Sequence, residues 1–288
     1  MHDILFRISD RFAIHSYGAM AMIGFLAALL VARRRALRAG LAPDEITDIG
    51  IWTLLAGIVG SRIAYVLLPE NRGYFFDTRR VGWSLFDLIK IWEGGLVFYG
   101  GLIGAMIVTL LLLRAKKLKI LPVLDVFAPS LALGQAFGRI GCCLHGCCYG
   151  APVHAGAWYG CVFPANSVPY DPRAVIPIPP GAPLWPTQLV SSFDLFCIFI
   201  ILSLFFRHQR RSGEVLSLYL ILCSVERFTV EFFRGDTHLP GQMSQAQWIS
   251  IGIFIAGVAL MTCLKTSAPE KVPSRQSAEC RMQNGSRK

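Results

Sequence analysis

A chain of 288 residues in which 54% of side chains are apolar and only 16% are charged has too little polar surface for an ordinary soluble domain, so the composition argues for a membrane before it argues for a domain count. The formal charge of +10 would suggest a nucleic-acid partner in a soluble protein, but here the cations stand in short clusters at the ends of apolar runs, and no nucleic acid is expected.

In chain order, residues 19–31 carry no charged residue and are followed by Arg33, Arg34, Arg35 and Arg38, which predicts a first span at 17–33. The segment before it lacks the basic region and small-residue cleavage site of a removable signal, so this helix is expected to remain. A second span follows at 47–68. The charge-free run 96–113 predicts a third at 95–113, closed by Arg114, Lys116, Lys117 and Lys119. Further spans are expected at 121–143, at 188–206 with Arg207, Arg210 and Arg211 behind it, at 214–233, and at 246–264 with Lys265, Lys271 and Arg275 beyond. Each is close to the roughly 17–25 residues that cross a bilayer.

Seven spans put the termini on opposite sides. The basic clusters all fall inside only if the N-terminus is outside, in the periplasm, and the C-terminus is cytoplasmic, while the outer stretches 69–93, 144–187 and 234–245 are nearly charge-balanced. The expectation is an all-α integral membrane protein with seven transmembrane helices. Residues 1–264 form one domain with outer arm regions at about 69–93 and 144–187, and a basic, disordered tail covers 265–288. "SLFDLIKIW" (84–92) reads as an interfacial helix, and the Pro- and Gly-rich stretch 151–187 as a flexible loop, a lid or a docking arm. Neither an internal repeat nor a nucleotide-binding loop, zincin motif or nucleophile elbow is evident.

Charges inside apolar spans are costly, so Arg62, Asp125, Arg139, Asp194, Glu226, Arg227 and Glu231, with Arg234 at a span end, either lock helices together or mark a site. Arg139 sits between glycines in "GRIG", where a ligand can approach; Glu231 is one helical turn from Arg227 and can orient it. Two guanidiniums facing one cavity would clamp phosphate oxygens, and the abundant phosphate in a membrane is a phospholipid headgroup. "EGGLVFYGGLIGA" (93–105) gathers five glycines around Tyr99, for close helix packing, for reception of an anion, or for both. In "FGRIGCCLHGCCYG" (137–150) three readings stay open. The cysteines bind a metal, or form a disulfide of Cys142 or Cys143 with Cys147, Cys148 or Cys161, or serve as small packing residues.

Taken together, "HSYG" (15–18), "GSRIAYV" (60–66), "WEGGLVFYGGLIGA" (92–105), "DVFAPSLALGQAFGRIGC" (125–142), "GCCYG" (146–150), "PTQL" (186–189), "ERFTVEFFR" (226–234) and "SQAQWIS" (244–250) resemble the bacterial prolipoprotein diacylglyceryl transferases up to about residue 264. That resemblance implies an inner-membrane enzyme without metal or soluble cofactor. Its partners would be phosphatidylglycerol, the lipobox segment of prolipoprotein signal peptides, and membrane lipids. The diacylglyceryl group moves onto the lipobox cysteine as a thioether and glycerol phosphate is released. Arg139 then matches the family's essential arginine and Arg227 the arginine assigned to the lipid phosphate. Tyr17, Arg62, Gly100, Gly101, Glu231 and Gln245 fall on shared motifs as substrate-binding positions, and Tyr99 joins the catalytic set. Departures accompany the match. Tyr99 stands where well-known members have a histidine proposed as the base, Cys142 replaces an Asn, Cys223 a Tyr, and Val190 and Ser191 a Tyr and a Glu. A phenol, titrating near ~10, is a weak base at neutral pH. Arginine-assisted deprotonation, His145 as base, and a paralogue with another acceptor remain open, as does a non-transferase with a redox or metal-binding cysteine cluster.

Overall fold

A computed structural model describes residues 4–9, 12–68, 95, 97–165, 167–171, 178–235 and 243–266. The interfacial helix expected at 84–92, the whole arm at 69–93 and the tail beyond 266 lie outside the described residues. Two short antiparallel strands, β1 (Ile4–Ser9) and β2 (Phe12–His15), open the chain, with Ile4 opposite His15 and Ser9 opposite Phe12. Sequence analysis assigns them no element, because alternation over so few residues is a weak signal beside the 23-residue helix that follows.

All seven expected segments are helical: α1 (Ser16–Arg38), α2 (Pro43–Leu67), α3 (Phe98–Ala115), α4 (Ile120–His145), α5 (Thr187–Phe205), α6 (Glu214–Glu231) and α7 (Gln245–Thr266). Six of them, all but α6, are long and apolar enough to cross a membrane. The exception has a chemical cause: Glu214, Glu226, Arg227 and Glu231 all fall within its 18 residues. Exposed apolar stripes at helical spacing, Met22, Leu26 and Leu30 on α1 and Trp52, Leu55, Val59 and Ile63 on α2, are the faces that lipid would cover.

Packing divides the chain into two compact units, residues 1–40 with 124–288, and residues 41–123. In the second unit α2 and α3 lie side by side because glycines let their backbones meet. A methyl group on Gly60 would stand 2.5 Å from the Gly100 carbonyl oxygen and 3.2 Å from the Gly104 Cα. Further along the same pair, the Thr53 and Thr109 hydroxyls share a 2.7 Å hydrogen bond, and Lys116 Nζ meets Asp48 Oδ2 at 3.0 Å.

In the first unit α4 is the central helix. Half of its most apolar window is buried, against 33% for α5 and 17% for α1 and α7. Ala128, Ala132 and Ala136, spaced one turn apart, are fully buried and leave room for neighbours. From α5 the Ser192 hydroxyl donates to the Ala136 carbonyl (3.0 Å), and Gln135 Nε2 donates to the Tyr219 hydroxyl of α6 (3.0 Å). Asp125, fully buried, fixes where α6 begins. Its carboxylate accepts the backbone N–H groups of Gly213 (2.5 Å) and Leu216 (2.8 Å), so the orphan amides of that helix are satisfied from α4 rather than by a local cap.

The stretch after α4 is folded, with a small core of its own: Tyr149, Phe163, Tyr170, Ile178 and Leu184. Tyr170 holds it from the middle, its hydroxyl donating to the Ala182 carbonyl (2.8 Å) and accepting the Phe163 N–H (3.2 Å). Of the readings open for this arm, a wholly flexible loop does not describe these residues.

The glycine contact yields a paired test. Gly60→Ala should cost about 1–3 kcal/mol through overpacking, visible as a lower melting temperature in detergent. Gly57→Ala, whose new methyl would meet nothing closer than 3.7 Å, should melt like the parent.

Candidate active site

Residue Arg139 lies in the last two turns of α4, which ends six residues later at His145, and Gly146, with a φ of 88°, takes the chain into the left-handed region. The chain then turns back through Cys147 and Cys148, the latter also left-handed at φ 59°, and reaches the end of α6. Gly150 bridges Arg234, the Gly235 N–H donates to the Tyr149 carbonyl (3.1 Å), and the Ala151 N–H to the Phe233 carbonyl (2.9 Å). The start of α5 pins the same turn: Thr187 Oγ1 donates to the Cys148 carbonyl (2.9 Å) and the buried Gln188 Nε2 to the Cys147 carbonyl (3.0 Å). That is the structural use of "PTQL", a motif whose role sequence analysis leaves unassigned.

On α6, Arg227 and Glu231 are one turn apart and face each other, with Nη1 2.5 Å from Oε2. Arg234 reaches the same carboxylate oxygen at 3.6 Å, so two guanidiniums share one carboxylate that is only 1% exposed. Arg139 is near enough to act electrostatically on both Arg227 and Glu226. The groups acting most strongly on Arg227 are therefore one carboxylate, Glu231, and two further guanidiniums. Glu226 accepts the Ser191 hydroxyl of α5 and is in electrostatic reach of Asp194. Arg227 and Arg139 also reach Glu226, so three guanidiniums stand against two carboxylates here, and in a low-dielectric setting the remaining positive charge attracts an anion.

The cysteine turn adjoins this cluster. The sulfurs of Cys142, Cys147 and Cys148 lie within 4.8 Å of one another, a soft three-donor set, one short of the four ligands a closed zinc site takes. All eight described cysteines are free thiols, so no disulfide joins the candidates Cys142, Cys143, Cys147, Cys148 and Cys161. Cys148 is held well below the ordinary thiol range, because the Cys142 and Cys147 thiols donate to it and Arg234 and Arg139 add positive charge. Cys147, the donor, is pushed up for the same reason, and burial pushes Cys161 up. Tyr17, at the start of α1, packs its ring over Gly141 and is in electrostatic reach of the three thiols and Arg139.

The structure thus brings Tyr17, Arg139, Arg227 and Glu231 together in the first unit. His145 ends α4, half-buried. Gln245 is exposed at the start of α7; its neighbour Gln247 is the buried one, closing a cap in which Ser244 N–H donates to Gln247 Oε1 (2.9 Å) and Gln247 N–H to Ser244 Oγ (3.2 Å). In the second unit Arg62 Nη1 donates to the Gly95 carbonyl (3.2 Å) and its guanidinium lies over the Tyr65 ring. Gly100 and Gly101 face α2 in the first turn of α3, and Tyr99 is exposed there beside Phe98. Thr187 and Gln188 are site residues beyond those the sequence reading selects, while Arg234 and Cys148, noted there without a role, take one here. "PTQL" before an apolar helix is the signal that could have found the first two.

A polytopic helical protein with two arginines on one buried carboxylate and a third in reach is the class these features define. The family model "Prolipoprotein diacylglyceryl transferase" matches residues 3–263, and the chain belongs to that family. Among its relatives, phosphatidylglycerol–prolipoprotein diacylglyceryl transferase 2 of Clostridium perfringens is 35% identical over 248 residues, covering 86% of this chain and 90% of the relative. The Clostridium tetani transferase of the same name is 34% identical, covering 90% and 96%, and that of Thermotoga maritima is 33% identical, covering 93% and 86%.

Two measurements probe this geometry. Glu231→Ala leaves Arg227 and Arg234 without their shared carboxylate and should destabilise the protein by about 3–5 kcal/mol in thermal unfolding, as breaking a buried ion pair does. Maleimide labelling followed by peptide mapping should find Cys148 modified before Cys147 and Cys161. Between about pH 8 and about pH 6 its rate should fall far less than the roughly tenfold per unit of an ordinary thiol, and Arg234→Gln should steepen that fall.

Proposed function

We propose that this protein transfers the diacylglyceryl group of phosphatidylglycerol to the lipobox cysteine of prolipoproteins in the bacterial inner membrane, with α6 as a seventh span, the N-terminus outside and the C-terminus in the cytoplasm. Family membership along nearly the whole chain supports the activity. The sharing of Glu231 by Arg227 and Arg234, with Arg139 within electrostatic reach of Arg227, is the observation that carries the assignment of the site.

In the reaction the substrate thiol loses its proton, its sulfur bonds to the terminal glycerol carbon of the diacylglyceryl group, and the bond from that carbon to the phosphate oxygen breaks. Glycerol phosphate leaves with the electron pair and an added negative charge. Arg139 and Arg227 bind the phosphate in the ground state and meet the extra charge as it develops, which is where preorganised cations lower a barrier most. Glu231 keeps the Arg227 guanidinium in one orientation. Positive potential from the same groups favours the incoming thiolate, so deprotonation needs only a modest base. Motif resemblance supports substrate-binding roles for Tyr17, Arg62, Gly100, Gly101 and Gln245 and a catalytic role for Tyr99. Residues 1–264 act as the membrane domain and 265–288 as a tail.

The test is purified protein supplied with labelled phosphatidylglycerol and a lipobox peptide, with thioether product read by mass spectrometry. Arg139→Ala and Arg227→Ala should each lower turnover by about 10²–10³-fold. Replacing Cys142, Cys143, Cys147 and Cys148 together with Ser should leave the product forming; loss of all product with both arginines intact would move the chemistry to the cysteine cluster. Tyr99→Phe separates a proton-transfer role, which abolishes turnover, from a packing role, which does not.

A further inference from the structure

At the opposite end of the first unit's helices, α1 and α5 finish beside each other, and a cavity of about 410 Å³ opens between their ends, lined by Arg38, Phe206, Arg207 and Gln209. Arg35 belongs to the same group. Its guanidinium lies 5.7 Å from the Phe206 ring centre and 5.5 Å from that of Phe199, its Nη2 donates to Ser203 Oγ (2.5 Å), and it feels the charges of Arg38 and Arg207. Arg35 is buried, yet its Nη1 has no hydrogen-bond partner; the Gln209 Oε1 atom is likewise buried and unpartnered. Neither Arg38 nor Arg207 is paired with a carboxylate among the described residues.

Arginines near a helix C-terminus commonly serve its dipole. Two exposed guanidiniums lining one open cavity, neither held by a carboxylate among the described residues, exceed that need, and the buried Arg35 beside them adds a third positive charge. We propose that this cavity binds an anionic phosphate group, the guanidiniums of Arg38 and Arg207 holding its oxygens. The flanking surface favours a phospholipid as its source: Leu37 on α1 and Leu204 on α5, both about half exposed, continue the apolar faces along which acyl chains would lie. Phe206 gives the headgroup an apolar floor. The site is separate from the Arg139–Arg227 cluster and does not rest on the transferase reading. A lipid bound there would tie α1 to α5 at their basic ends.

The experiment uses the full-length protein in detergent, with native mass spectrometry to count bound phosphatidylserine, a lipid outside the donor role, and equilibrium binding of radiolabelled inorganic phosphate in parallel. Arg38→Gln/Arg207→Gln alters two exposed side chains; Arg114→Gln/Lys265→Gln removes the same charge elsewhere. The parent and the control should retain one phosphatidylserine that the cavity variant loses, with at least tenfold weaker binding, and only the first two should gain melting temperature on adding the lipid. Binding of phosphate but not lipid, lost in the cavity variant alone, would keep the site and assign it to free phosphate. Equal binding by all three proteins, equal loss in both variants, or no binding of either probe to the parent would overturn the proposal.

Discussion

Sharing of the Glu231 carboxylate between Arg227 and Arg234 is the interaction on which the candidate site depends. A guanidinium in a bilayer-spanning bundle costs several kcal/mol unless it is paired, and a single buried carboxylate that holds two of them keeps both in fixed directions. Arg139 acts on Arg227 and on Glu226, so three guanidiniums stand against the carboxylates of Glu231 and Glu226, and the pairing is incomplete by charge. An incompletely balanced cationic cluster is expensive to maintain in a structure and useful for holding a phosphate, and the second property explains tolerance of the first.

The rest of the first unit holds that cluster in register. Asp125 sets the first turn of α6, which fixes the height at which Arg227 and Glu231 stand four turns later. Thr187 and Gln188 clasp the backbone of the cysteine turn, and the turn in turn pairs with the residues around Arg234. The result is that α4, α5 and α6 are each tied to the cluster by backbone or buried side-chain hydrogen bonds, rather than by apolar packing alone. In a membrane this matters, because lipid is as apolar as the helix faces and gives little drive for helices to associate. The folded arm, with Tyr170 at its centre, connects α4 to α5 through a packed core.

Much of this was legible in the sequence. Apolar runs set off by basic clusters located the seven helices to within a few residues, although α6 carries four charges and several others carry one or two, because insertion energetics write themselves into composition. The i,i+4 spacing of Arg227 and Glu231 announced their pair directly. What the sequence hid is what depends on three-dimensional proximity. Asp125 reads as a costly span-end acid, and its partners are amides some ninety positions away that carry no side-chain signature. Cys142, Cys147 and Cys148 converge only because Gly146 reverses the chain, so their spacing alone could not separate metal site, disulfide and packing. In "SQAQ" the cap is made by Gln247 rather than Gln245, a distinction of helical phase. The departure at Tyr99 lies in a turn whose neighbours Gly100 and Gly101 serve close packing with α2.

The most direct measurement is an experimental structure of the protein with phosphatidylglycerol, or a non-cleavable phosphonate analogue of it, bound. The account predicts phosphate oxygens at about 2.7–2.9 Å from guanidinium nitrogens of both Arg139 and Arg227, with Glu231 still holding Arg227. A headgroup seated away from both, with the two guanidiniums satisfied entirely by protein carboxylates, would contradict it.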